Sequence, residues 1–162
     1  MKIEDVLRTN KFENEYHKAS LNIIYTSNFI QGLFKEVIDR EKITLQQFNV
    51  LRILRGQQGK PSTINLLKER LLDKMSDVSR IIDRLVQKKL VSRCISDRDR
   101  RAVDIYITKE GLAILEKLDK QVSVYTLLGH SLTEEECKQI NYLLDKMRSN
   151  QPATDTFNEI NS

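Results

Sequence analysis

The sequence predicts a mainly α-helical fold carrying one small β-hairpin. Apolar residues recur at three- and four-residue spacing in six stretches between Asn14 and Arg148, the period of a helix with one buried face. The period drops to two only between Val91 and Ile107, as in half-buried strands. With 5 Gly and 2 Pro in 162 residues, turn residues are too few for a many-stranded sandwich. At 40% hydrophobic and 31% charged the chain is a globular type. Its length suits one domain, residues 1–162, and lets it bury about 68–70% of its unfolded surface without staples.

Each element follows from local chemistry. Residues 1–12 show no period and read as a loosely held arm. Asn14 to Arg40 is a long helical pattern, with Tyr16, Ile23, Ile30, Phe34, Val37 and Ile38 on its stripe. Its apolar content wraps past one face, which suits a helix packed on its own core and on a partner subunit. Thr44-Leu45-Gln46-Gln47 is a capping box opening a helix through Phe48, Leu51 and Leu54, closed by Gly56 and Gly59. Pro61-Ser62-Thr63 starts a short helix with Ile64, Leu67 and Leu71 inward. After the turn Asp73-Lys74-Met75, Ser76 is the expected N-cap and Asp77 a favourable first-turn acid. The next helix places Val78, Ile81, Ile82, Leu85 and Val86 on one side, a core-facing stripe. Val91–Ile95 and 102–107 are the strands, joined by the charged tip Ser96-Asp97-Arg98-Asp99-Arg100-Arg101. Thr108 caps a long helix through Leu112, Leu115, Leu118 and Val122 towards His130. Thr133-Glu134-Glu135-Glu136 is a second capping box, starting a last helix through Ile140, Leu143, Leu144 and Met147. Residues 151–162, polar and containing Pro152, read as a disordered tail.

Several functions are excluded. The longest uncharged run, Ala19 to Phe34, contains Asn22, Thr26, Ser27, Asn28 and Gln31; it is too short and too polar to span a bilayer. Met1-Lys2-Ile3-Glu4-Asp5 lacks the apolar core of a secretion signal, so a cytoplasmic address and no membrane partner are expected. Cys94 and Cys137 form no metal-type pair or disulfide framework. Cys94 is expected as a small apolar filler and Cys137 as core. His17 and His130 are far apart, and no nucleophile–base pair is visible. The chain reads as a non-enzyme without metal or cofactor.

Charge points elsewhere. Lys60 to Arg101 holds twelve Lys or Arg against six Asp or Glu, a net of +6, while the whole chain carries +4. The basic excess is therefore local, the footprint of a phosphate-binding surface or of an ordinary solvated face. Two short helices joined by a tight turn and followed at once by a hairpin make a winged helix-turn-helix. The outer face of its second helix offers Ser76, Asp77, Ser79, Arg80 and Arg84, with Lys88 and Lys89 behind, a set able to meet base edges in the major groove. Arg98 at the wing tip, with Arg100 and Arg101 beside it, suits the adjacent minor groove. Lys60, Ser62, Thr63 and Lys74 complete the candidate DNA contacts; for Ser62 and Thr63, simple helix capping is the competing account. A protein-interaction module using the same basic face on an acidic partner is the alternative function. It would need exposed aromatic or Met anchors there, and the face carries Ser, Asp and Arg.

Residues 44–111 resemble the DNA-binding lobe of MarR-type transcriptional regulators. The resemblance lies in the ordered series Ser76-Asp-Val-Ser79-Arg80-Ile-Ile-Asp83-Arg84-Leu85, Leu90-Val91-Ser92-Arg93, Asp97-Arg-Asp99-Arg-Arg101 and Ile107-Thr108-Lys-Glu-Gly111. The flanking helices extend it to about residues 12–148. It implies a winged helix-turn-helix lobe at 44–111 and a helical dimerisation lobe from 12–40 and 112–148. It further implies a homodimeric regulator, expected to repress, on a pseudo-palindromic double-stranded operator. The recognition helix would run from Ser76 to Lys88, with Arg98 as the wing-tip residue; Asp99 and Arg101 match a motif that more often braces the wing. Relatives release DNA on binding small aromatic effectors between the lobes, where Tyr16, Tyr25, Phe29, Phe48 and Arg52 are candidates, although aromatics at helical spacing also serve as core. Lys89 stands where relatives usually have Gly, so a left-handed helix end there would cost on the order of 1 kcal/mol.

Overall fold

The computed structural model describes residues 1–96, 102–121 and 124–149, and for 124–127 the backbone alone. Its elements are α1 (Ile3–Leu7), α2 (Glu15–Arg40), α3 (Leu45–Gly56), α4 (Ile64–Arg70), α5 (Val78–Gln87), β1 (Val91–Ile95), β2 (Val103–Ile107), α6 (Lys109–Gln121), α7 (Val124–Ser131) and α8 (Glu134–Ser149). The mainly helical fold with one hairpin is the one expected. The chain forms two compact units, one ending at Val122 and one from Ser123 onward. The wing tip, residues 97–101, and the expected tail, 151–162, lie outside the described residues.

Within the first unit α3 is the hub, packing against α2, α4, α5, α6 and β2. Its box forms as the sequence predicts: Gln47 N–H donates to Thr44 Oγ1 at 3.2 Å, and Thr44 N–H donates to Gln47 Oε1 at 3.1 Å. Val50, Leu51 and Leu54 are buried with Leu67 and Leu71 of the next segment, Val78, Ile82 and Leu85 of α5, and Leu115 and Leu118 of α6. The helix-turn-helix is thus one core, and α5 can present its opposite face outward without losing its anchorage.

The hairpin is antiparallel, with Val91 opposite Ile107 and Ile95 opposite Val103. Ser62 pairs with Ile105 as a one-residue third strand, through Ser62 N–H to Ile105 O at 3.0 Å and Ile105 N–H to Ser62 O at 2.9 Å. The base of the hairpin is clamped by Thr108. Its hydroxyl donates to Lys89 O at 2.8 Å and accepts the Gly111 N–H at 3.1 Å, while its N–H donates to Leu90 O at 3.1 Å. Gly111 is required by this approach: a Cβ there would lie 2.4 Å from Leu90 O and 2.8 Å from Ile107 Cγ1.

Three expectations are corrected. The arm at 1–12 contains the helix α1, which buries Ile3 and joins α2 by a Glu4–Lys18 ion pair of 2.6 Å; five residues are too few for a period to show. That lysine holds the Glu4 carboxyl below its ordinary range, and Glu4 raises Lys18 in turn. The N-cap of α5 is Asp77, one residue later than expected, its Oδ1 accepting Arg80 N–H at 3.1 Å. The helix expected from Thr108 towards His130 is described as α6 up to Gln121 and α7 from Val124, residues 122 and 123 lying outside the described residues. Cys94 is exposed rather than filling the core, and Cys137 is half-buried. A two-stranded ribbon leaves the body after its first residue, so of β1 only Val91 is buried.

Candidate nucleic-acid interface

The candidate surface is built around α5. Its inward residues Val78, Ile82 and Leu85 are buried, and Ser79, Arg80, Asp83, Arg84 and Gln87 face solvent. Neither Arg80 nor Arg84 has an ion pair among the described residues. Asp77 spends its carboxylate on the Arg80 backbone, so it fixes the helix start instead of neutralising the Arg80 guanidinium. Between the start of α3 and this face lies an open groove of about 210 Å³, bordered by Thr44, Gln46, Ser76, Asp77, Arg80 and Arg84.

The turn ahead of α5 is pinned by Asp73. Its carboxylate accepts the Ser76 hydroxyl at 2.7 Å and the Met75 N–H at 3.0 Å. These two bonds, with a further one from Gln46, hold the Asp73 carboxyl below its ordinary range. Ser76 therefore supports the turn, with its proton already committed. Lys74 Nζ donates to Glu69 O at 2.6 Å, closing the C-terminal end of α4.

Two braces orient α5, and neither was legible beforehand. Lys88 Nζ donates to Lys42 O and, at 3.3 Å, to Gln47 Oε1. It ties the end of α5 to the α2–α3 turn, where Lys42 has φ 56°. Arg93 of β1 meets Asp83 of α5 at 2.5 Å, linking wing and helix. Both pairs join residues too far apart for any spacing rule. At the wing's base Lys89 has φ 59°, the left-handed helix end that its sequence position suggests.

The candidate residues fall into distinct groups. Ser79, Arg80 and Arg84 share the open face, with Asp77 and Ser76 at its head. Lys60 and Thr63 are exposed at the start of α4, where Thr63 Oγ1 accepts Leu66 N–H at 3.2 Å. Ser62 is corrected: it is 1% exposed, its backbone taken by Ile105 and its hydroxyl without a partner among the described residues, so it cannot touch a phosphate. Arg98, Arg100 and Arg101 lie outside the described residues. The turn ahead of this face also exposes two apolar side chains that were not expected, Leu72 at 85% and Met75 at 93%.

The five effector candidates do not converge. Tyr16 is 87% exposed, and Phe29 is exposed well over three helical turns further along α2; at 1.5 Å per residue that is about 20 Å. Phe48 is in the core, tilted against Phe34 with ring centroids 6.3 Å apart. Only Arg52 meets another candidate, its guanidinium 5.7 Å from the Phe48 ring. Tyr25 is half-buried on α2.

Comparison with known proteins agrees with this architecture. The MarR family profile matches residues 42–102, from the α2–α3 turn to the residue before β2. The HTH-type transcriptional repressor MdtR of Bacillus subtilis is 31% identical over 119 residues, 73% of this chain and 76% of that one. The multiple antibiotic resistance protein MarR of Escherichia coli is 32% identical over 117 residues, 71% of this chain and 80% of that one. A mutant of the latter, solved with operator DNA, superposes with a TM-score of 0.73 at 29% identity, covering 85% of this chain and 99% of that one. Bordetella bronchiseptica BpsR, solved in a study of how 6-hydroxynicotinic acid regulates its DNA binding, superposes at 0.66 with 26% identity over 80% and 98%. With its α5 face, clamped wing and these likenesses taken together, the chain belongs to the MarR family of transcriptional regulators.

Proposed function

We propose that the protein is a sequence-specific double-stranded DNA-binding regulator, a repressor, acting in the cytoplasm as a homodimer on a pseudo-palindromic operator. The observation that carries this is the α5 face. A helix held by Val78, Ile82 and Leu85 turns Ser79, Arg80 and Arg84 outward, in the stretch of chain with the local charge excess of +6. Arg80 and Arg84 are one turn apart and of a type that meets guanine edges or phosphates. Lys60 and the Thr63-capped start of α4 supply backbone contacts beside them. The operator complex of the E. coli relative supports the same docking.

The homodimer is supported by apolar side chains left exposed on the helices outside the winged lobe. They are Ile23, Ile24, Phe29 and Leu33 on α2, and Ile140, Tyr142, Leu143 and Met147 on α8. Release by a small aromatic effector is part of the proposal, supported by the BpsR relative; the scattered candidates on α2 and α3 are not a formed pocket. A second reading, docking on an acidic protein, draws on one observation: Leu72 and Met75 stand exposed beside the basic face.

The test is fluorescence-anisotropy binding to the DNA upstream of the protein's own gene and to a scrambled duplex, across about 50–200 mM salt. A preference for the native duplex that persists as salt rises is expected. Equal binding to both that collapses with salt, repeated with genomic fragments, would remove the DNA reading.

A further inference from the structure

The turn between α4 and α5 exposes its two largest apolar side chains, Leu72 and Met75, while Asp73, Lys74 and Ser76 spend their side chains on hydrogen bonds. Leu72 is 85% exposed and Met75 is 93% exposed. This is not fraying, because Leu71 before the turn and Val78 after it are buried at 2% and 1%. Asp73 holds the Met75 N–H and the Ser76 hydroxyl, and Lys74 is fastened to Glu69 O. The backbone thus fixes Met75 outward, two residues before the N-cap of α5. That end of a recognition helix leads into the major groove. The helix that follows carries Arg80 and Arg84 exposed, lining a groove with Ser76 and Asp77, and this positive charge suits a polyanion as the occupant.

We propose that Leu72 and Met75 form an apolar reader of a pyrimidine 5-methyl group, adding a thymine preference to each half-site. The assignment rests on the DNA-binding reading above. In the major groove the thymine methyl is the one apolar feature of the base-pair edges, and an unbranched thioether adapts to its surface. Ser79, Arg80 and Arg84 read donors and acceptors; the turn reads shape and apolarity at the same groove's rim. Burying one methyl is worth about fourfold in affinity per half-site.

The test starts from duplexes recovered by the full-length wild-type protein from a randomised pool. In the tightest duplex each thymine is replaced in turn by deoxyuridine, which deletes only the methyl. Affinities are measured for wild type, M75A, M75L and the L72A/M75A pair. The expected result is one thymine per half-site whose methyl matters about fourfold to wild type and to M75L, and not to M75A or the pair. Thermal melting should be the same for wild type and M75A, since that side chain is so exposed. An identical deoxyuridine profile for wild type and M75A overturns the assignment and leaves the apolar pair to a protein partner. A uniform loss of M75A binding to all duplexes overturns it too. Failure of the wild type to enrich any duplex overturns the DNA reading itself, and this inference with it.

Discussion

Single residues decide the geometry of the wing's base. Gly111 has no room for a side chain against Leu90 O, so Gly111→Ala should destabilise the protein by about 1–3 kcal/mol, as overpacking does; a thermal melt measures it. Lys89 sits at φ 59°, and Lys89→Gly should stabilise by about 1 kcal/mol, seen as a raised urea midpoint at unchanged slope. The left-handed position of Lys89 was legible, because Gly is the residue expected there. The buried Ser62 was not, since its sequence setting, Pro61-Ser62-Thr63, is that of an exposed cap; only the pairing with Ile105 hides it. Asp73 gives a pH prediction. Its carboxyl is depressed by the Ser76 hydroxyl, the Met75 N–H and Gln46. The turn's ordering is therefore in force above the ordinary aspartate value of 3.8 and lost only as pH falls through the lower folded value. The Met75 amide resonance should titrate with a midpoint below 3.8; a midpoint at or above it would contradict the assigned hydrogen bonds.

Elements were legible where a cap and a period coincide. α3 and α8 begin at their Thr boxes, with Thr133 N–H donating to Glu136 Oε2 at 2.8 Å and Glu136 N–H donating back to Thr133 Oγ1 at 3.3 Å. α5 was placed from its stripe, but its cap fell one residue late, because Ser76 and Asp77 are both good caps and only the three-dimensional pull of Asp73 on Ser76 decides between them. Asp77→Ala should therefore cost about 1 kcal/mol of stability and lower DNA affinity, whereas Ser76→Ala should leave the helix start in place; urea unfolding of both variants distinguishes them. The braces Lys88–Gln47 and Arg93–Asp83 arise from the fold and have no local signature, as does α1.

At the scale of the whole molecule, the sequence carried the succession from the long first helix through the helix-turn-helix to the hairpin, and that succession survives in the structure, with α1 added ahead of it. What it did not carry is how side chains far apart converge, which is why the effector candidates scatter between an exposed Tyr16 and a buried Phe48. The apolar surfaces of α2 and α8 predict that the protein sediments at twice its 18.9 kDa mass at micromolar concentration. Equilibrium sedimentation checks this, and a monomer would leave those surfaces unexplained. The central claim is that two copies of α5 dock in successive major grooves of one duplex. Hydroxyl-radical footprinting of the protein on a duplex it has selected tests it most directly. Two protected half-sites about one helical turn apart, centre to centre, are predicted, with protection lost for Arg80→Ala. A single continuous protected stretch, or a footprint unchanged by Arg80→Ala, would contradict it.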